Sequence, residues 1–122
     1  MDKHDLKART KQFALRVLNL VDALPRTVRG RLIADQLGRA GTSVAANYRA
    51  ACRARSKTEF ISKLGTVIEE ADESAFWLEV IMEGHVLSKA RVAPLWQEAN
   101  EITAIMTRSR KTAESSLNAS KP

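Results

Sequence analysis

The sequence contains little of what stabilises secreted or membrane-spanning proteins. Its 122 residues include a single cysteine, Cys52, so the chain cannot form an internal disulfide bond. Every apolar run is shorter than the roughly 18 residues that a helix needs to cross a bilayer. The first eleven residues are charged and lack the apolar stretch of a signal peptide. We therefore expect a cytoplasmic protein with no membrane partner.

Residues suited to catalysis or metal binding are also scarce. Neither of the two histidines, His4 and His85, follows a glutamate at the three-residue spacing of di-metal helical bundles. Cys52 is a candidate nucleophile, but no histidine and acid are arranged around it, so a packing role is favoured. The chain has no glycine-rich phosphate loop. We expect no enzymatic activity, no catalytic residue, no metal site and no cofactor.

Strand signals are absent, because no stretch alternates apolar and polar residues and only 5% of the residues are aromatic. Instead, four segments carry apolar residues at alternating steps of three and four, which is typical of amphipathic helices. The predicted helices cover about residues 5–24, 27–53, 57–84 and 89–106. Their short connections predict an all-α domain over residues 1–106, an antiparallel up-down-up-down four-helix bundle. We interpret the polar residues 107–122 as a frayed helix end and a flexible tail.

One stripe of mostly apolar positions in each segment defines the predicted core. The stripes are Leu6, Thr10, Phe13, Val17, Leu20 and Leu24 in the first segment; Ile33, Leu37, Ala40, Val44, Asn47 and Ala51 in the second; Phe60, Leu64, Val67, Ala71, Ser74, Leu78 and Ile81 in the third; and Val92, Leu95, Ala99, Ile102 and Met106 in the fourth. A buried carboxamide needs hydrogen-bond partners, so we expect Asn47 to specify helix register, with a ligand role as the less favoured alternative.

Small residues indicate where two helices can pack closely, and capping residues indicate where a helix begins. Gly30, Gly38 and Gly41 lower the helix propensity of the second segment, but they allow a neighbouring helix to approach closely. The string "SKTE" predicts a capping box at the start of the third helix. In it, the Ser56 hydroxyl accepts a hydrogen bond from the Glu59 amide, and the Glu59 carboxylate accepts one from the Ser56 amide.

The net charge of +6 is unevenly distributed along the chain. Residues 26–63 contain nine lysines and arginines against two acids, whereas residues 64–88 contain six acids and no lysine or arginine. On a helical wheel, four arginines of the second segment lie opposite its apolar stripe. They are Arg31, Arg39, Arg49 and Arg53, and Arg55 and Lys57 extend the basic surface into the next turn.

Three interpretations of this arginine face remain open. Rows of guanidinium groups suit the phosphates of RNA or DNA, which is the interpretation we favour. Alternatively, the basic second helix contacts the acidic third helix of a neighbouring subunit in a structural or protein-interaction ring. The charges could also be a solvated helix face without a partner. Tyr48, the only aromatic residue near this face, lies at the edge of the core and is expected to pack rather than stack on bases.

Several motifs together resemble the bacterial 23S rRNA intervening-sequence protein family. They are "LP" at 24–25, "QLGRAGTSVAAN" at 36–47, "RSKTEFISKL" at 55–64 and "EEADESAFWLE" at 69–79. Members typically carry Q-x-x-R-A-x-x-S-(I/V)-x-x-N, then a basic turn with R-x-S-x-x-E-F, then an E-rich helix. Many members continue after the asparagine with I-A-E-G, whereas this chain has "YRAA" at 48–51, which adds Arg49.

The resemblance implies a four-helix bundle that assembles into a homo-oligomeric ring, with pentamers as the known pattern, and it implies no catalytic activity. Similar proteins include the accessory protein of diversity-generating retroelements, a basic pentameric bundle that binds a reverse transcriptase and nucleic acid. The implied partners are therefore further copies of this chain, RNA or DNA, and a reverse transcriptase. The family name refers to genes inside rRNA intervening sequences and does not itself establish rRNA binding.

Overall fold

The computed structural model describes residues 1–120 and consists of four helices joined by short turns. α1 spans Lys3–Asp22, α2 spans Val28–Cys52, α3 spans Lys57–Glu83 and α4 spans Lys89–Ala119. The residues it describes contain no strand. The predicted fold class, all-α with four helices, is confirmed.

The core lies where the predicted stripes place it. Each helix packs against the next one in the chain and α1 also packs against α4, so the four apolar faces enclose a shared interior. All predicted core positions are buried except two, Asn47 and Phe60, which are half-buried. Buried Thr10 donates a hydrogen bond to the Leu6 carbonyl on its own helix, which removes the cost of burying a free hydroxyl.

The fourth helix is longer than the sequence predicts. α4 begins after Ser88, whose hydroxyl accepts a hydrogen bond from the Arg91 amide, and it continues to Ala119. The prediction of a frayed end and flexible tail from residue 107 is therefore wrong for residues 107–119; residues 121 and 122 lie outside the described part. Half-buried Leu117 lies near Ile61 of α3, and half-buried Ala113, four residues earlier, lies near Phe60 of the same helix.

The start of α3 differs in detail from the sequence prediction. The Ser56 hydroxyl accepts a hydrogen bond from the Glu59 amide at 3.0 Å, as predicted. The Glu59 carboxylate, however, accepts from the Arg55 amide at 3.2 Å and not from Ser56, so the return bond reaches one residue further back. At the other end, Gly84 is the C-cap, but the left-handed conformation falls on His85, whose φ is 53°.

No helix within residues 1–120 has the combination of length and apolarity required to cross a membrane.

Candidate nucleic-acid interface

Two of the predicted arginines lie on a cleft between α1 and α2, which we call the α1–α2 cleft. Arg49 and Arg53 are one helical turn apart on α2, and Lys7 and Lys11 stand opposite them one turn apart on α1. The cleft has a volume of about 580 Å³. Its complete lining is His4, Lys7, Ala8, Lys11, Thr42, Ala45, Ala46, Arg49 and Arg53.

The lining of the α1–α2 cleft carries positive charge without a compensating acid. Three alanines contribute only methyl groups to the lining, so the long basic side chains extend beyond them; they are Ala8, Ala45 and Ala46. No carboxylate belongs to the lining, and none of the ion pairs found in residues 1–120 involves the four basic residues of the cleft. Such a surface suits the phosphates of a nucleic-acid backbone, which carry a regular array of negative charges.

The four arginines predicted to form one face are all exposed, but they do not form one surface. Arg39 turns towards α3, where its Nη2 lies 3.6 Å from Glu73 Oε1 and donates a hydrogen bond to Gln36 Oε1. Arg31 donates to the carbonyl of Arg26 at 3.1 Å, near the start of α2. Arg39 and Arg31 therefore lie apart from the α1–α2 cleft.

Arg55 and Lys57 lie on a second concave surface, the end groove, which has a volume of about 960 Å³. Lys57 Nζ donates a hydrogen bond to Ser116 Oγ, which joins the first residue of α3 to the last part of α4. The complete lining is Met1, Lys3, Leu6, Ala51, Cys52, Ala54, Arg55, Ser56, Lys57, Phe60, Ile105, Arg108, Ser109, Thr112, Ala113 and Ser116.

Asn47, which was predicted to specify helix register, and its neighbour Tyr48, which was predicted to pack, both have local roles. Asn47 is half-buried, and its amide donates to the Ser43 carbonyl on its own helix at 2.9 Å. The described contacts thus give its carboxamide a partner within α2, not on another helix. Buried Tyr48 is 1% exposed, which confirms the prediction that it packs. Burial also raises the pKa of its phenol, and the neighbouring Cys52 adds to this effect.

Acidic residues of α3 lie beside the basic helix α2 of the same chain, where the two helices pack together. Burial raises the pKa of Glu70, nearby Glu73 raises it further, and Arg39 opposes the shift. Glu70 Oε2 is buried, and no hydrogen-bond partner for it exists among the described residues. The acidic part of α3 is therefore partly engaged by α2 of the same chain.

Sequence reasoning missed the basic residues contributed by helices other than α2. Lys7 and Lys11 were visible as an i, i+4 pair on the polar face of the first segment, but only packing of α1 beside α2 places them opposite Arg49 and Arg53. Lys3 and Arg108 were missed because residues from both ends of the chain form the end groove.

Nowhere in residues 1–120 do three or more His, Cys, Asp or Glu side chains come close enough to hold a metal ion. Cys52 is half-buried and lies beside Tyr48 and the end groove.

Comparison with known proteins gives one family and a closely similar structure. No curated protein matches the chain. A crystal structure of a protein of unknown function from the S23 ribosomal protein family of Bacteroides thetaiotaomicron matches with a TM-score of 0.84 and 29% sequence identity. The match covers 91% of this chain and 99% of that one. The model of the 23S rRNA-intervening sequence protein family matches residues 2–108. The chain therefore belongs to the 23S rRNA-intervening sequence protein family.

Proposed function

We propose that this protein is a non-enzymatic four-helix bundle, antiparallel and up-down-up-down, that binds nucleic acid through the α1–α2 cleft. The observation that carries the proposal is the placement of Lys7, Lys11, Arg49 and Arg53 around one concave surface whose lining contains no carboxylate. The antiparallel arrangement is supported by contacts between opposite ends of neighbouring helices, since Lys57 meets Ser116.

The side chains that line the α1–α2 cleft favour contacts with the sugar-phosphate backbone of a nucleic acid over contacts with its bases. Lysine and arginine side chains neutralise phosphates whatever the sequence, whereas base recognition on single strands commonly uses exposed aromatic rings. The cleft lining contains no Phe, Trp or Tyr. The family and the similar structure carry names that refer to 23S rRNA and to a ribosomal protein family, so RNA is the first polyanion to test.

The experiment is a salt titration of binding to a fluorescent single-stranded RNA and to a duplex of the same length. Each neutralised phosphate contributes about 0.7–0.9 to the slope of log K against log salt, so four cleft cations predict a slope of about −3. Neutralising Lys7, Lys11, Arg49 and Arg53 to glutamine removes most of this slope. An affinity that does not change between low and high salt, or absence of binding at low salt, contradicts the proposal.

We also propose self-association as a second function, because α3 exposes an aromatic residue within an acidic surface. Phe76 is 54% exposed, and Glu69, Asp72 and Glu83 are exposed on the same helix. An apolar side chain surrounded by acids suits the basic α2 of another copy. The resemblance stated above makes a pentamer the expected assembly and a reverse transcriptase a further candidate partner.

Light scattering tests self-association directly. A pentamer has five times the 13.5 kDa mass of the chain, and Phe76→Ser is expected to reduce that mass. Joint replacement of Arg39, Arg49 and Arg53 by glutamate also breaks the oligomer if α2 meets α3 of a neighbour. A monomeric wild-type chain that binds RNA contradicts self-association and leaves the cleft proposal standing.

A further inference from the structure

The end groove differs from the α1–α2 cleft because it combines positive charge with an apolar floor. It lies where the start of α1, the α2–α3 turn and the last part of α4 meet. Leu6, Phe60 and Ile105 supply apolar surface at its base. Its volume of about 960 Å³ lies within the range of about 300–1,000 Å³ that is usual for sites that bind small molecules.

Four basic residues, Lys3, Arg55, Lys57 and Arg108, line the end groove, and no acid does. Lys3 Nζ stands 4.6 Å from the centre of the Phe60 ring. Within residues 1–120, no salt bridge joins any of the four to a carboxylate.

Two carboxylates that lie close in sequence to these basic residues accept hydrogen bonds from backbone amides. Asp2 accepts a hydrogen bond from the Asp5 amide at the start of α1, and Glu59 accepts one from the Arg55 amide before α3. Both carboxylates keep their negative charge, but neither forms an ion pair with the four basic residues of the end groove within residues 1–120.

The combination of positive charge and apolar surface in the end groove disfavours both inorganic anions and uncharged apolar molecules. An inorganic anion would use the basic groups but leave the apolar floor in water, and an uncharged apolar molecule would leave four cations without a partner. A nucleotide satisfies both parts, because its phosphate is anionic and its base is flat and largely apolar on its faces. The hydroxyls of Ser109, Thr112 and Ser116 provide donors and acceptors for its sugar or base.

We propose that the end groove binds one nucleoside monophosphate unit, with its phosphate among Lys3, Arg55, Lys57 and Arg108 and its base on the floor of Leu6, Phe60 and Ile105. The unit is either a free nucleotide or the terminal nucleotide of a strand. Only the strand source rests on the proposed function, and the groove shares no lining residue with the α1–α2 cleft.

The first experiment is calorimetric titration with AMP, adenosine and inorganic phosphate at low ionic strength. AMP is expected to bind at least fivefold more tightly than either adenosine or phosphate, because only AMP reaches both the cations and the floor. Absence of AMP binding overturns the proposal. Equal affinities for AMP and phosphate also overturn it, because they reduce the groove to an unspecific anion site.

Charge reversal locates the site. Lys57→Glu with Arg108→Glu is expected to weaken AMP binding at least tenfold. The control is Lys89→Glu with Arg91→Glu, which changes the net charge equally at exposed positions outside the end groove and is expected to leave AMP binding unchanged. Equal losses in both variants would show that only the overall charge matters and would overturn the assignment.

Filling the groove tests the floor without changing charge. Thr112 is exposed and lines the groove, so Thr112→Trp is expected to lower AMP affinity at least fivefold while phosphate binding is retained. Thr107, exposed on the same helix, does not line it, and Thr107→Trp serves as the control. If Thr112→Trp, folded by circular dichroism, binds AMP like the control, the base does not occupy this groove.

Short RNAs with and without a 5′-phosphate distinguish the two sources of the nucleotide. A preference for the phosphorylated strand that disappears in Lys57→Glu/Arg108→Glu assigns the groove to strand ends. AMP binding without such a preference assigns it to free nucleotides. Neutralising Lys7, Lys11, Arg49 and Arg53 is expected to weaken strand binding strongly and to leave AMP binding unchanged, so failure of the cleft proposal remains distinguishable from failure of this one.

Discussion

Gly41 of α2 lies directly against Val17 of α1. A Cβ atom at position 41 would stand 2.7 Å from both γ carbons of Val17, which is closer than real Cβ contacts allow. Val17 is fully buried, so it cannot move aside into solvent. The absence of a side chain at position 41 thus sets how closely α1 and α2 approach, and this approach brings the basic side chains of the α1–α2 cleft together.

The first prediction compares two glycines of α2. Gly41→Ala is expected to lower the free energy of unfolding by about 1–2 kcal/mol, because overpacking outweighs the gain in helix propensity. For Gly38→Ala the nearest atom is Val21 Cγ2 at 3.9 Å, an ordinary contact, so a gain of up to about 1 kcal/mol is expected. Urea denaturation measures both, and equal effects would show that the contact with Val17 does not limit the packing.

The second prediction concerns the ion pair that joins α1 to α4. Arg9 donates to both carboxylate oxygens of Glu98, at 2.8 and 2.7 Å, and these contacts raise the pKa of Arg9. A double-mutant cycle with Arg9→Met and Glu98→Gln is expected to give a coupling of about 1 kcal/mol, because the pair is two-pronged and mostly buried.

The matched control for that cycle is the more exposed pair of Arg110 and Glu114, whose charged atoms are 4.0 Å apart on one helix. We expect its coupling to be below about 0.5 kcal/mol. A larger coupling in this pair than between Arg9 and Glu98 would contradict the stabilising role assigned to the α1–α4 ion pair.

The third prediction separates the α1–α2 cleft from the remaining arginines. Lys11→Gln with Arg53→Gln is expected to weaken RNA binding about tenfold and to reduce the salt slope by about 1.5, since two phosphate contacts are lost. Arg31→Gln with Arg39→Gln removes the same charge outside the cleft and is expected to change affinity less than threefold. Equal losses of RNA affinity in the two double variants would contradict the separate cleft and would support the single arginine face that the helical wheel predicts.

The fourth prediction uses the raised pKa of Glu70. Its charged form is penalised in the folded state, so the penalty is present at neutral pH and is lost as the pH falls through the folded pKa towards 4.5. Glu70→Gln is therefore expected to raise the urea midpoint at pH 7, with the difference closing at pH 4. Exposed Glu83→Gln, on the same helix, serves as the control, and a difference that widens on acidification would contradict the assignment.

The fifth prediction concerns the end of α3. His85 adopts a φ of 53°, a conformation that costs a side-chain-bearing residue about 1 kcal/mol and glycine very little. His85→Gly is expected to stabilise the protein by about 0.5–1 kcal/mol in thermal or urea unfolding. The other histidine, His4, lies in helix α1, and His4→Gly is expected to destabilise it slightly. A loss of stability in His85→Gly would show that its side chain makes a compensating contact.

Several features of the fold followed from sequence patterns because they depend on neighbours a few residues away. Stripes with steps of three and four predicted all four helices, and nearly all of the stripe positions are buried. Ser56 was predicted as a helix cap, and its hydroxyl accepts the expected hydrogen bond from the amide of Glu59, three positions later. Asn47 lies at the margin of the core, where the wheel does not separate a buried from a half-buried position.

The last part of α4 shows where patterns of this kind fail. Residues 107–119 carry only a weak apolar signal, chiefly Ala113 and Leu117, and they contact α3 through pairs such as Lys57 and Ser116. A contact between residues so far apart in sequence leaves no periodic signal. The end groove was missed for the same reason, because its wall includes Arg108 and Thr112 from this part of α4.

By itself, the sequence determined the helical class, the core stripes and the excess of arginine on α2, because helix periodicity and capping are set within a few turns. Only the tertiary structure decided which charges act together. The rotation of α2 between its neighbours directs Arg49 and Arg53 towards Lys7 and Lys11, and Arg39 towards Glu73. That rotation depends on packing between distant segments, such as Gly41 against Val17, and therefore on the whole folded chain.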